Sequence, residues 1–230
     1  IWQNHIYTMR EKMTKAKKKY VPVTLKNGTA FKIAYWDIDS GKNGPVLLIT
    51  AALHGNEVQG SEVMRRFCPM AEKKIVKGRM ILMPFANPLA VWNRRPHIIS
   101  TLAQPKGREI WDKERKISRL DLRDNINCTW PGNPEGTEAE QITHVLFNKI
   151  VKQATHCIDM HCWSRFFITT GLSSNDEKII DFVRVAALPA IYVNKIKPEK
   201  IGIPKTPCTL STLFEATGRL GFDMEFSGQY

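Results

Sequence analysis

Residues 46–60 constrain the fold of this chain more than any other segment. They begin with an apolar run, VLLITAA at 46–52, which is short, rich in branched side chains and preceded by a Gly-Pro pair. Such a run predicts a buried strand. A turn bracketed by glycines follows and carries His54 and Glu57, three residues apart. The segment therefore predicts a core strand that delivers an imidazole and a carboxylate to one place.

These two side chains suit a metal ion. Zinc takes nitrogen and oxygen ligands at about 2.0–2.2 Å, and a catalytic zinc site has three protein ligands and a water. A lone pair is a weak signal, because an ordinary surface turn can carry an unrelated His and Glu. The best third candidate is His161, in the strand-like segment 156–162. The alternative for His161 is a solvated histidine at a strand end.

Asp159 strengthens the case for His161, since alternation places both side chains on one face of that strand. Two ionisable groups on a core strand are costly to bury without a partner. Ligating histidines usually donate their second ring proton to a carboxylate or a carbonyl. We therefore predict one Zn²⁺ per chain, held by His54, Glu57 and His161, with Asp159 behind His161.

A candidate catalytic base lies near the end of the chain. Apolar and polar residues alternate over 222–227, which predicts a strand carrying Glu225. It follows a helix-like segment at 211–220. A glutamate at such a strand end could reach a water on the metal. Taken alone, Glu225 would be interpreted as a solvent-facing strand residue.

Strand-like and helix-like segments alternate along the chain. The predicted strands are 31–36, 45–52, 78–85, 156–162, 166–170, 190–193 and 222–226, and the predicted helices are 58–68, 137–154, 176–187 and 211–220. This alternation predicts an α/β fold with three layers, α/β/α, around a central mixed, mainly parallel sheet. Ligands gather at the carboxyl ends of the strands in such folds, where His54, Glu57 and His161 fall.

Six segments carry a family resemblance, in a shared order and spacing. They are 21–29, 41–60, 83–90 (MPFANPLA), 130–140 (WPGNPEGTEAE), 158–161 (IDMH) and 224–229 (MEFSGQ). On these motifs the chain resembles the succinylglutamate desuccinylase/aspartoacylase family of the zinc carboxypeptidase superfamily. The resemblance implies a zinc carboxypeptidase-like fold, with His54, Glu57 and His161 as zinc ligands and Glu225 as the catalytic glutamate.

One motif departs from the family pattern. Relatives usually have Asn-Arg immediately before an aromatic-Pro-Gly sequence. The resemblance implies that this arginine binds the carboxylate of the substrate. Here Asn127 matches the asparagine, and Cys128 stands where the arginine would be. A thiol cannot make the two-pronged charged contact of a guanidinium. Arg119 and Arg123 are the nearest replacements, and either could polarise the scissile carbonyl; both could equally be solvated.

Two further arginines, Arg94 and Arg95, follow the 83–90 motif and are also candidates. Relatives usually continue past the catalytic glutamate into a β-rich C-terminal region. We therefore expect a single catalytic domain over 1–230, with a basic N-terminal segment at 1–20 and that C-terminal region absent.

Composition is ordinary for a globular enzyme, with 43% hydrophobic and 24% charged residues. No apolar run approaches the roughly 20 residues of a membrane span.

Five scattered cysteines indicate reduced thiols and a cytoplasmic protein. The net charge of +12 could attract anionic substrates, membranes or nucleic acid, but no nucleic-acid-binding motif accompanies it. The sequence leaves open whether the chain forms a homo-oligomer.

The leading hypothesis is a zinc-dependent hydrolase that cleaves the amide bond of an N-acyl amino acid or a similar small carboxylate substrate. A second hypothesis keeps the fold and makes the chain a carboxypeptidase-like peptidase. A third, motivated by Cys128, is a zinc-bound binding protein with weak or no activity. The acyl group and the amino acid cannot be chosen from the sequence.

Overall fold

The computed structural model describes residues 15–98, 109–112, 117–120, 123–165, 167–195, 200, 202–205 and 207–228. The strands are β1 (Lys17–Thr24), β2 (Ala30–Asp39), β3 (Val46–Ala51), β4 (Arg79–Met83), β5 (Glu109–Asp112), β6 (Ile117–Leu120), β7 (His156–Cys162), β8 (Thr170–Ser173), β9 (Ala190–Val193) and β10 (Leu220–Phe226). The helices are α1 (Gln59–Lys74), α2 (Pro88–Trp92), α3 (Glu138–Lys149), α4 (Glu177–Val185) and α5 (Leu210–Ala216).

Within the described ranges, eight strands form one sheet in the order β1-β2-β4-β3-β7-β10-β8-β9. The four central strands, from β4 to β10, run parallel. Strand β2 is antiparallel to both β1 and β4, and β8 is antiparallel to β10. Strands β5 and β6 form a separate hairpin. The mixed, mainly parallel sheet confirms the predicted fold class.

Helices cover both faces of the sheet, because alternate strand residues supply two separate hydrophobic cores. One core packs Leu48, Ile81 and Cys157 against α3 and α5. The other packs Ile49, Leu82 and residues of β7 and β10 against α1 and α4. This arrangement gives the three layers that the sequence predicts.

Helix α3 begins as the sequence predicts. The Thr137 side chain accepts a hydrogen bond from the Glu140 backbone N–H, and the Glu140 carboxylate accepts one from the Thr137 backbone N–H. This reciprocal pair satisfies two N–H groups that the first turn leaves free. The helix ends at Lys149, and a short 3₁₀ turn at Val151–Gln153 follows it.

Several boundaries differ from the predictions, including the end of α3 at Lys149 instead of residue 154. Helix α1 continues past Cys68 through Pro69, because Met64, Cys68 and Ala71 bury one continuous face. Helix α5 ends at Ala216, short of residue 220. The strand predicted at 166–170 is wrong over 167–169, because β8 begins at Thr170, where pairing with Glu225 of β10 starts; residue 166 lies outside the described residues. Among the described residues, no helix is long and apolar enough to cross a membrane.

The strand order brings the candidate residues together. Strands β3 and β7 are parallel neighbours, and β10 lies on the other side of β7. Their carboxyl ends therefore meet at one edge of the sheet. The turn after β3, His161 near the end of β7 and Glu225 near the end of β10 all lie at this edge.

Candidate metal centre

The turn after β3 is shaped by two unusual positions. Ala52 adopts the left-handed backbone conformation, with φ of 54°, which non-glycine residues rarely occupy. Gly55 lies so close to α2 that an added Cβ would be 2.1 Å from the backbone carbon of Ala90. Only glycine fits there. A backbone hydrogen bond of 3.0 Å from Glu57 N–H to the His54 carbonyl closes the turn and holds both side chains on one side.

Glu57 lies between the two histidines. Its Oε1 is 2.9 Å from His54 Nδ1, and its Oε2 is 2.9 Å from His161 Nδ1. The backbone N–H of Cys162 also donates to Oε2, at 3.1 Å. One potential ligand atom from each of His54, Glu57 and His161 lies within 4.8 Å of the other two. The fold therefore joins the three residues that the sequence singles out as ligands.

The outer ring nitrogen of each histidine has a partner of its own. His54 Nε2 lies 3.1 Å from Asn125 Oδ1, and His161 Nε2 lies 2.9 Å from Asp159 Oδ2. Thr50 Oγ1 donates to the other oxygen of Asp159 at 2.6 Å. Both oxygens can accept a hydrogen bond from Nε2–H, which favours ligation of a metal through Nδ1. In the metal-free structure each Nδ1 instead lies at hydrogen-bond distance from Glu57, and a cation would replace the proton between them.

The donor set fits a zinc ion. Two imidazole nitrogens and one carboxylate oxygen are the ligands of many catalytic zinc sites. Ligand atoms on a tetrahedral ion at about 2.0–2.2 Å lie roughly 3.3–3.6 Å apart. The nitrogen–oxygen separations of 2.9 Å here, one to each oxygen of Glu57, are about 0.4–0.7 Å shorter than that spacing. Small side-chain movements would open the group enough for the ion.

The pKa values of Glu57 and His161 are shifted in opposite directions by burial and by their charged neighbours. Burial raises the pKa of Glu57, but hydrogen bonds from His161 and His54 outweigh it and lower the pKa to about 2. Burial lowers the pKa of His161, yet the Asp159 carboxylate outweighs that effect and holds the pKa well above its ordinary value. A proton and a cation therefore compete for His161 Nδ1, as is general at metal sites.

Glu225 lies next to His161 across the β7–β10 pair, in direct register. Its Oε2 is buried and has no hydrogen-bond partner among the described residues. Burial raises the pKa of Glu225 to about 7. A carboxyl group with a pKa near neutrality can both accept and donate a proton under ordinary conditions. Asp223 and Asp159 are paired in the same register, and burial also raises the pKa of Asp223.

The residues predicted to bind substrate are less well gathered. Asn127 lies in a 3₁₀ turn, Ile126–Cys128, and its Oδ1 is buried without a partner in the described part of the chain. Cys128 is half-buried, and burial raises the pKa of its thiol, which keeps it neutral. A catalytic cysteine needs a lowered pKa instead.

The described residues do not place any of the four candidate arginines in the site, and Arg94 and Arg95 are exposed. Arg123 is exposed, and its carbonyl accepts a hydrogen bond from the Thr137 hydroxyl. The backbone of Arg119 belongs to β6, and its side chain lies outside the described residues. Residues 1–14 of the basic N-terminal segment also lie outside them. The arginine that would grip a substrate carboxylate therefore stays a prediction.

Asn125 is the main residue that sequence analysis missed. It positions His54 as Asp159 positions His161, and its Oδ1 also accepts a hydrogen bond from the Asn127 backbone N–H at 3.0 Å. The sequence offered one reason to consider Asn125, because it lies two residues before Asn127 in the same motif. Nothing local in the sequence connects that motif with the turn after β3.

Comparison with known proteins identifies the family of the chain. The family model of the succinylglutamate desuccinylase/aspartoacylase catalytic domain matches residues 43–230. A curated relative, the N-alpha-acetyl-L-2,4-diaminobutyric acid deacetylase of Halomonas elongata, is 26% identical over 122 residues, which are 53% of this chain and 30% of the relative.

Solved structures share the fold. An aspartoacylase family protein from Mesorhizobium loti superposes with a TM-score of 0.71 at 21% identity, covering 96% of this chain and 64% of that one. The product-bound ectoine utilization protein EutE (DoeB) from Ruegeria pomeroyi gives a TM-score of 0.67 at 18% identity, covering 96% and 62%. The chain thus spans less than two thirds of the length of these relatives. With the family model matched over most of its residues, the chain belongs to the succinylglutamate desuccinylase/aspartoacylase family.

Proposed function

We propose that this chain is a zinc-dependent hydrolase that cleaves the amide bond of an N-acyl amino acid or a similar small carboxylate substrate. One observation carries the proposal: Glu57 is flanked by the Nδ1 atoms of His54 and His161, with Glu225 beside them. The family and the deacetylase relative support an amide substrate. We further propose that residues 1–230 act as one catalytic domain.

His54, Glu57 and His161 would hold the ion, and Asn125 and Asp159 would keep both imidazoles in the ligating tautomer. When bound, zinc supplies Lewis acidity and lowers the pKa of a water molecule to about 7. Glu57 remains ionised at any working pH, because its pKa is about 2.

Glu225 would perform the proton transfers. Its carboxylate accepts a proton from the attacking water as the new C–O bond forms. The same carboxyl group then donates that proton to the amine nitrogen as the C–N bond breaks. Glu225 returns to its ionised form, so the cycle leaves no net change on the protein. General acid–base catalysis of this kind contributes about 10²–10⁴-fold in rate.

The test combines zinc analysis with turnover. Protein prepared with zinc should contain one ion per chain and hydrolyse members of a panel of N-acetyl and N-succinyl amino acids. Glu225→Gln should keep the zinc and lose about 10²–10⁴-fold in kcat. Glu215→Gln is a matched control, because burial also raises the pKa of Glu215 to about 7 on helix α5, outside the metal group.

Two outcomes would refute the proposal: no stoichiometric zinc, or turnover that Glu225→Gln leaves unchanged. Peptides with free and amidated C-termini belong in the same panel, because hydrolysis of the free peptides alone indicates a carboxypeptidase-like enzyme. Cys128 favours a second candidate, a zinc-bound protein that binds its ligand with little or no turnover. Its neutral thiol lacks the charge that grips a carboxylate.

A further inference from the structure

The chain leaves β7 directly beside the candidate metal centre. Asp159 and His161 share one face of this strand, and their side chains are joined by a hydrogen bond. Pairing with β10 continues one residue past β7, because the Trp163 backbone N–H donates to the Phe226 carbonyl at 3.0 Å. Residues two apart in a strand share a face, with Cα atoms about 6–7 Å apart. Trp163 is therefore the next side chain beyond His161 on the face of the metal centre.

The backbone after Trp163 is held against the end of β10. Gly228 lies three residues after Glu225, and a Cβ added to it would be 2.2 Å from the Arg165 carbonyl oxygen. That separation leaves no room for any residue other than glycine. The contact fixes the Arg165 backbone close to the strand end that carries the proposed catalytic carboxylate.

Trp163 presents a hydrogen-bond donor that lacks an acceptor. Its ring is half-buried and meets the Phe167 ring edge-on, with centroids 5.5 Å apart and planes at 73°. Its Nε1 is buried and has no hydrogen-bond partner in the described part of the chain. An indole nitrogen can only donate, and a buried donor calls for an acceptor. Because Phe167 restrains the ring, a ligand would lose little free energy in ordering this donor.

Arg165 supplies the charge that Cys128 lacks. It lies four residues after His161, is exposed, and has no ion-pair partner among the described residues. It is not one of the four arginines that the sequence motifs suggest. The centre already holds several carboxyl groups: Glu57, Asp159, Asp223 and Glu225. Like charges repel, so an anionic substrate that approaches them needs a cation of the protein. The thiol of Cys128 is neutral and cannot provide it.

We propose that Trp163 and Arg165 bind the carboxylate of the substrate. Arg165 pairs with the carboxylate through its guanidinium, and the Trp163 indole N–H donates to one of the carboxylate oxygens. Phe167 positions the indole. These residues take the role that the family resemblance gives to the position of Cys128. The identity of the substrate, an N-acyl amino acid, rests on the proposed function, whereas the binding step requires no turnover.

Two matched ligands test this subsite. N-acetylglycine contains only the amide and the carboxylate that all substrates of the proposed class share, and N-acetylglycinamide lacks the carboxylate. Titrations use Glu225→Gln protein with and without zinc, so that the result depends on neither hydrolysis nor the metal. We expect N-acetylglycine to bind at least about tenfold more tightly than the amide, since charged hydrogen bonds are the stronger ones. It should also shift the indole N–H signal in nitrogen-15 NMR spectra that Trp163→Phe removes.

Two variants supply the decisive comparison. Arg165→Gln should weaken N-acetylglycine about tenfold or more and leave N-acetylglycinamide unchanged, because only the carboxylate needs the charge. Trp163→Phe keeps an aromatic ring against Phe167 but loses the donor, and it should weaken N-acetylglycine about tenfold. Arg66→Gln is the matched control, since Arg66 is also exposed but pairs with Glu62 on α1. It should change neither affinity.

Several results would overturn the subsite. They are failure of N-acetylglycine to bind, equal affinity for the two ligands, affinity unchanged by Arg165→Gln, and an indole signal that does not move. Failure of the proposed function looks different. A carboxylate preference that Arg165→Gln removes, in a protein without turnover, supports the subsite and refutes the hydrolase. Zinc-dependent turnover with an affinity that Arg165→Gln leaves unchanged supports the hydrolase and refutes the subsite.

Discussion

Glu225 and His161 occupy directly paired positions on the parallel strands β10 and β7. The pairing sets a buried carboxylate oxygen that has no partner among the described residues beside a histidine that faces Glu57. Sheet register, rather than loop conformation, fixes the distance between these groups. Rigid strands hold catalytic groups more accurately than loops do. The proposal therefore depends on groups whose positions the fold strongly determines.

Removing one proposed ligand should abolish zinc binding. His161→Ala leaves two of the three ligands and also leaves Asp159 buried without its imidazole. Elemental analysis should fall from one zinc per chain to none. Zinc at 100 times its Kd should stabilise the wild-type protein by about 2.7 kcal/mol, with no such gain in the variant. His144→Ala is the control, because the His144 ring is paired with Asn148 on the same helix, α3, and is not part of the candidate metal centre. Equal zinc content in both variants would contradict the ligand assignment.

Asn125→Ala should weaken zinc binding about 10–100-fold, the usual effect of removing the partner of a ligating histidine. The reason is that Asn125 Oδ1 holds His54 in the tautomer that frees Nδ1. A competition titration with a chromophoric chelator measures the affinity. Asn127→Ala serves as the comparison, because Asn127 makes no hydrogen bond to either proposed histidine ligand. If both variants bind zinc equally well, the positioning role of Asn125 is wrong.

Glu215 and Glu225 of the zinc-free protein should titrate near neutral pH. Burial raises the pKa values of Glu215 and Glu225 to about 7. Carbon-13 NMR of the carboxyl groups should show both titrations, with Glu225→Gln removing one and Glu215→Gln the other. Added zinc should lower the Glu225 pKa, because a nearby cation favours the ionised form.

The same shift predicts the direction of a stability change. The folded-state pKa of Glu225 lies above its ordinary value of 4.5, so the folded protein binds more protons between about 4.5 and 7. The free energy of unfolding of the zinc-free protein should therefore fall as pH rises through this window. Glu225→Gln should reduce that fall in chemical denaturation experiments. A slope identical to that of the wild type would show that the group is not perturbed.

Cys128→Arg should increase hydrolysis of substrates with a free carboxylate. The thiol is held neutral by burial, whereas a guanidinium supplies a charged two-pronged contact. The gain should be about 10–100-fold in kcat/KM, from a charged hydrogen bond worth about 1.5–3 kcal/mol. Cys128→Lys is the control, because it adds charge without the planar fork. An inactive wild type with an active Cys128→Arg variant would support the binding-protein alternative, whereas robust wild-type hydrolysis would exclude it.

Local patterns in the sequence predicted most elements correctly. The alternation over 156–162 identified β7, and the helix predicted at 137–154 contains α3. The predictions failed where tertiary contacts outweigh local preference. The apolar residues Phe167 and Ile168 looked like a strand, but they are exposed, because β10 pairs with residues from Thr170 onward. Strand β1 was missed because its first four residues are exposed, and three of them are lysines.

The sequence by itself determined which side chains share an element: His54 with Glu57 in one turn, and Asp159 with His161 on one strand face. Short-range spacing decides such pairs, since three residues in a turn or two in a strand leave little conformational choice. Only the tertiary structure decided that Asn125 supports His54, that Glu225 stands beside His161, and that the Arg165 backbone packs on Gly228. Those relationships depend on strand order and long-range packing, which no local spacing specifies.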